Sequence, residues 1–242
     1  MVYSQDTEKY AKLALIQGGS YLPLYSNEKN EKVVVADFYM DIHPVTNQEF
    51  KAFINQKPKW KKENVIKLFA EKSYLKLLDY SDFNQDNNPV TYVSWFAAKS
   101  YCKSLDKRLP TLDEWEYVAL SSEELYDARK LPAFNQFLLD WYERPNSVGL
   151  ASVKSTFKNK WGVYDMHGLI WEWVMDFNSV LISGESRKDV DTDRNLFCGS
   201  GAIGANDLMN YAAFIRYAFR GSIKASFCIK NLGFRCAKSI NP

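Results

Sequence analysis

The chain has 242 residues, 31 Lys+Arg against 29 Asp+Glu, and a net charge of +2. That length holds one large domain or two small ones with a sizeable core, and the balanced charge excludes a global nucleic-acid footprint. With 7 Trp, 15 Tyr and 15 Phe the chain has material for rigid pocket walls, and no apolar stretch reaches the ~18 residues a membrane span needs.

The opening residues, Met1-Val-Tyr-Ser-Gln-Asp-Thr-Glu-Lys, are polar and do not read as a signal peptide. Leu13-Ala-Leu-Ile-Gln-Gly-Gly-Ser-Tyr21 reads as a short strand running into a Gly turn, and residues 33–41 read as a buried strand. Thr46 and Glu49 form a capping-box pattern, with Phe50, Phe53 and Ile54 on one helical face. The one basic cluster, Lys57-Pro-Lys-Trp-Lys-Lys62, is brief and followed by Glu63; it reads as a solvated face, with a binding patch as the alternative. A short helix is expected around 63–78. Pro89-Val-Thr-Tyr-Val-Ser-Trp95 is extended and stops at Ser94, a good N-cap for a helix to about Leu105. Thr111 and Glu114 make a second capping box, and Ser121 and Glu124 hint at a third.

From about 130 to 196 the pattern is loop-rich, and no stretch looks like an interdomain linker. We therefore expect one domain over 1–242, of α+β class. No phosphate-binding Gly loop and no GxSxG elbow is present. Cys102, Cys198, Cys228 and Cys236 lack the CxxC spacing of a zinc knuckle. His43 and His167 are the two histidines, which excludes chemistry needing several imidazoles.

Six segments in order resemble the formylglycine-generating enzyme (sulfatase-modifying factor) family. They are Gly18-Gly-Ser-Tyr21, Pro44-Val-Thr-Asn-Gln-Glu-Phe50, Pro89-to-Trp95, Lys107-Arg-Leu-Pro-Thr-Leu-Asp-Glu-Trp-Glu-Tyr117, Gly162-Val-Tyr-Asp-Met-His-Gly168 with Trp171-Glu-Trp173, and Asn231-Leu-Gly-Phe-Arg-Cys236. Each alone is weak; the ordered set is specific and covers nearly the whole chain. The resemblance implies a C-type-lectin-like fold with short elements and much ordered loop. Within the family, Leu139-Asp-Trp-Tyr-Glu-Arg-Pro145 and Tyr211-to-Arg220 resemble bacterial nitrite reductase accessory (NirV-type) proteins.

The family's enzymes oxidise a peptidyl cysteine with a pair of thiols that recruit copper, a soft ion suited to thiolates. The matching stretch here, residues 201–213, contains no cysteine, so copper is not expected. Cys198 and Cys228 are the candidate substitutes; the alternative is that they are inert buried thiols or a structural disulfide. Ser200 and Asn231 match positions lining the family's substrate groove, with Arg216 and Arg220 nearby to bind carboxylates or backbone. Internal ion pairing is the alternative for the arginines. Asp165, Gly168, Ile170 and Glu172 match a family calcium site, against the alternative of a tight turn in which Glu172 caps backbone amides. Cys102 and Cys236 match a family disulfide, which would imply an extracytoplasmic, periplasmic setting; two reduced buried thiols are the alternative.

Together these imply a non-catalytic accessory factor whose groove holds a protein or peptide partner, with copper nitrite reductase as the named candidate. A divergent peptidyl-cysteine oxidase, or a peptide- or carbohydrate-binding lectin-like module, is the alternative.

Overall fold

The computed structural model of the chain describes residues 12–23, 31–78, 85–144, 149–178 and 208–240, with backbone alone for 208–210. The stretch expected as one strand into a Gly turn forms two strands, β1 (Leu13–Ile16) and β2 (Gly19–Tyr21). The run 33–41 likewise divides, into β3 (Val33–Val35) and β4 (Phe38–Asp41). The break between β1 and β2 lies at Gly18, where a Cβ would sit 2.4 Å from the Val35 carbonyl oxygen, so only glycine admits that close crossing.

β4 pairs antiparallel with β1 and with the C-terminal β7 (Ala237–Ser239), in the order β1-β4-β7. Tyr39 stands opposite Leu15 on one side and Lys238 on the other. Both ends of the described chain therefore meet in one small sheet. β2 pairs antiparallel with β3.

Helix α1 (Asn47–Gln56) begins at the expected capping box: Thr46 accepts from the Glu49 amide while Glu49 accepts from the Thr46 amide. Helix α2 (Trp95–Ser104) starts at Ser94, whose hydroxyl accepts from the Ala97 amide. Helix α3 (Leu112–Ala119) has the second capping box, Thr111 with Glu114. Each such cap contributes about 1 kcal/mol by pairing an otherwise orphaned N–H. The cap hinted at Ser121 starts no helix: its hydroxyl donates to the carbonyls of Ser122 and Leu125 instead, within a turn. The helix expected around 63–78 is also missing; a 3-10 turn, Pro58–Trp60, is followed by successive turns.

Helices α4 (Pro132–Glu143) and α5 (Leu208–Ser222) pack together, and their contact builds a second, smaller apolar cluster around Phe134, Leu138 and Ala212. The main core is strongly aromatic. Phe50, Phe53, Tyr101 and Phe234 meet with ring centroids 5.3–6.1 Å apart. Two-residue strands β5 (Trp171–Glu172) and β6 (Leu232–Gly233) pair in parallel and carry the C-terminal segment through this core. At Gly233 a Cβ would lie 2.4 Å from the Val90 carbonyl oxygen, so the β6 backbone runs directly against the 89–94 segment.

Candidate functional site

A cleft of about 520 Å3 opens where the end of α4 meets β5 and the residues before β6. Its wall is aromatic. Tyr142 stacks on Trp171 at 5.2 Å with 16° between the rings, and Trp141 lies 5.4 Å from Trp171. Phe219 of α5 supports Trp171 from behind at 4.5 Å. Asn231 lines the same cleft, and its carbonyl accepts from the Trp171 amide at 2.7 Å, so the β5–β6 ladder fixes the asparagine beside the aromatic wall. Arg144 and Lys230 stand at the cleft as cationic groups. An apolar, rigid wall with a few polar groups is suited to holding an extended segment with an apolar side chain.

Of the expected groove residues, Asn231 is at this cleft, and Ser200 lies outside the described residues. Arg216 and Arg220 differ from the expectation. Both are turned inward from α5 onto Glu116 of α3, and their side chains are 3% exposed. Arg216 donates through Nε and Nη2 to Glu116, and Arg220 donates through Nη1 to Glu116 Oε1 at 2.6 Å. Burial by itself would raise the Glu116 carboxyl; the charges of Arg216 and then Arg220 outweigh it and hold the group at about 2. The Arg220 guanidinium also lies over the Trp115 ring at 4.6 Å. These arginines lock α5 onto α3, which is the internal pairing that stood as their alternative. Glu116 was not among the expected site residues, and nothing local in its sequence marks it.

Both carboxylates of the expected calcium set have protein partners. Both carboxylate oxygens of Glu172 accept from the Arg235 guanidinium at 2.8–3.0 Å, and Oε2 also accepts from Trp115 Nε1. Asp165 is fully buried at φ +58, and its carboxylate accepts from the amides of Lys154 and Thr156 and from the Thr156 hydroxyl. Arg235 takes up the Asp165 carbonyl as well. A cation at this position would have to compete with these N–H donors and with the Arg235 guanidinium for the two carboxylates. Gly168, at φ +94, lies in the turn between Asp165 and β5, and Ile170 is a buried side chain just before that strand. Among the described residues no group of three or more His, Cys, Asp or Glu is placed to hold a metal.

Cys102 of α2 and Cys236 form the expected disulfide, with Cα atoms 5.6 Å apart. Asp41 braces it, one carboxylate oxygen accepting from the Cys236 amide and the other from Lys107. Cys228 is a free, buried thiol that donates to the Ser226 carbonyl. Burial pushes it up to about 12, so it stays a thiol at neutral pH and makes a poor nucleophile or copper ligand. This is the state of the inert buried thiol that stood as its alternative; Cys198 lies outside the described residues.

The histidines are structural in position. His43 Nδ1 bonds to the Pro44 carbonyl. His167 is buried with Nε2 on the Ala119 carbonyl, and burial followed by the Arg216 charge lowers it to about 3.

Residues 1–240 match the family described as sulfatase-modifying factor enzyme 1-like domain, and the chain belongs to that family. The formylglycine-generating enzyme of Mus musculus is 27% identical over 251 residues, 85% of this chain and 67% of the relative. The inactive C-alpha-formylglycine-generating enzyme 2 of Bos taurus is 26% identical over 257 residues, 85% of this chain and 78% of the relative. Serine/threonine-protein kinase pkn1 of Chlamydia pneumoniae is 25% identical over 260 residues; the match takes in 95% of this chain but 38% of that protein's length. The crystal structure of CarF has a TM-score of 0.51 at 16% identity, covering 95% of this chain and 98% of CarF, and supports the α+β fold.

Proposed function

We propose that the chain is a non-catalytic member of its family that binds a segment of a partner protein in the Trp171 cleft. The reading rests on one observation: residues 201–213, which match the stretch holding the family's thiol pair, contain no cysteine. The state of Cys228 supports it, since a buried thiol pushed up to about 12 is no replacement. The likeness to an inactive mammalian relative is consistent with the same reading. Trp141, Tyr142 and Trp171 would take an apolar side chain, and Arg144, Lys230 and Asn231 the polar atoms around it.

A maturation or accessory role, with copper nitrite reductase as partner, is the finer form of the proposal and follows the subgroup resemblance. A C-type-lectin-like arrangement in one domain and an extracytoplasmic setting belong to it too. The disulfide is compatible with that setting, and no described helix is long and apolar enough to cross a membrane.

The test has two arms. Copper-loaded protein is incubated in air with a cysteine-containing peptide and the peptide mass is followed. No aldehyde is expected; aldehyde formation abolished by Cys198→Ser would replace the proposal with the oxidase reading. In the second arm a peptide array is probed with the wild type and with Trp171→Ala. Peptides that bind the wild type and lose about tenfold in affinity with the variant support the cleft.

A further inference from the structure

The segment 57–76 carries seven lysines and two glutamates, an excess larger than the +2 of the entire chain. The chain's positive charge is therefore concentrated there, and the remainder is net acidic. Lys57, Lys59, Lys62, Lys67, Lys72 and Lys76 are all exposed. Among the described residues no carboxylate lies within ion-pair range of Lys57, Lys59, Lys67, Lys72 or Lys76. One of the two glutamates, Glu71, accepts from the Cys228 amide.

Two aliphatic side chains project from the midst of these lysines: Ile66 is 55% exposed and Leu68 is 73% exposed. The loop does not expose them for want of anchoring. Trp60 is buried and donates from its indole N–H to the Ser100 hydroxyl, and the Tyr74 hydroxyl donates to the Trp60 carbonyl. Phe69 packs between Trp60 at 6.1 Å and Phe96 at 5.0 Å. The Phe69 amide closes a turn on the Ile66 carbonyl, so Phe69 goes in while Ile66 and Leu68 go out. The loop is anchored through Trp60 and Phe69 and exposes two aliphatic side chains within a lysine-rich stretch.

We propose that this loop docks the protein onto an anionic lipid surface. Ile66 and Leu68 enter the boundary between headgroups and acyl chains, and the surrounding lysines lie against lipid phosphates. Aliphatic tips among lysines match a bilayer's layering of negative charge over hydrocarbon. An acidic protein surface would match the lysines but would not take up two isolated aliphatic tips. The docking face shares no residue with the Trp171 cleft, so both could be occupied at once.

The test uses the full chain with vesicles of phosphatidylcholine alone and of phosphatidylcholine mixed with phosphatidylglycerol, bound protein being measured by co-sedimentation. Binding to the mixed vesicles is expected, with strong weakening by salt. Lys59→Gln and Lys67→Gln should each lower affinity about fivefold. The pair Ile66→Ser and Leu68→Ser should lower it roughly tenfold or more. Val34→Ser, which removes an aliphatic side chain 81% exposed on β3, should change nothing. Absence of binding, equal binding to both vesicle types, or an equal effect of Val34→Ser overturns the proposal. Loss confined to the lysine variants also overturns it, because the aliphatic tips would then take no part. If soluble polyglutamate binds and vesicles do not, the face recognises an acidic protein and the membrane assignment fails.

Discussion

Glu172 gives both carboxylate oxygens to the guanidinium of Arg235, at 2.8–3.0 Å, and neither side chain is exposed to solvent. The pair joins β5 to the segment between β6 and β7, and it engages the carboxylate that family resemblance assigned to calcium. A buried pair of this kind contributes little over an apolar replacement, but breaking it leaves one charge stranded.

Arg235→Leu should therefore destabilise the fold by about 3–5 kcal/mol, and Glu172→Leu by a similar amount. Thermal melts would show a drop of roughly 10 °C. A chelator in excess should leave the wild-type melting temperature unchanged. A chelator-dependent fall restored by calcium would return Glu172 to the metal.

Acid should destabilise the protein in a defined window. His167 is lowered to about 3 from an ordinary 6.5, so between those values the unfolded chain holds the proton and the folded chain does not. Stability then rises with pH from about 3 to 6.5 and is fully present above it. Glu116 is lowered to about 2 from 4.5, so its contribution, present above 4.5, is lost as pH falls toward 2. The two act in the same direction, and the slope should be steepest between about 3 and 4.5. Asp41, raised by burial despite Lys107, acts with the opposite sign and tempers the slope. Urea melts across this range check the profile. His167→Gln should flatten the part above 4.5, and Glu116→Gln the part below it.

Reduction should weaken the fold strongly. Cys102 and Cys236 are 134 residues apart, and closing a loop of that length corresponds to about 5 kcal/mol in the chain-entropy account. Thiol titration of the denatured chain should rise by two on adding reductant. An unchanged count would mean that the bridge does not form.

Cys228 should react slowly with iodoacetamide in the folded protein at neutral pH, because the thiolate is scarce and the group is buried. Peptide mass spectrometry after timed alkylation reads this directly. Labelling as fast as that of the unfolded chain would show an accessible thiolate and reopen the copper question.

Much of the scaffold was legible in the sequence. Thr46 with Glu49, Ser94, and Thr111 with Glu114 mark three helix starts, because a cap is a local bargain between a side chain and an amide three residues on. The ordered segments identified the family. The failures differ in origin: Ser121 had the right neighbour for a cap, but its hydroxyl turned to the carbonyls of Ser122 and Leu125. The 63–78 segment lacked a helix because Trp60, Phe69 and Tyr74 are anchored separately to surrounding elements.

The sequence by itself determined the family, three of the five described helix starts and the absence of cysteine from residues 201–213, while the disulfide pairing followed from the family resemblance. Which charges meet was decided by the tertiary structure. Arg216 finds Glu116 across 100 residues of chain, and Arg235 finds Glu172 across 63. Both pairings remove supposed site residues from solvent. Burial likewise silenced Cys228, since the acidity of a thiol depends on the medium around it. Local patterns report backbone propensity over a few residues, whereas desolvation and ion pairing depend on surfaces that only come together on folding.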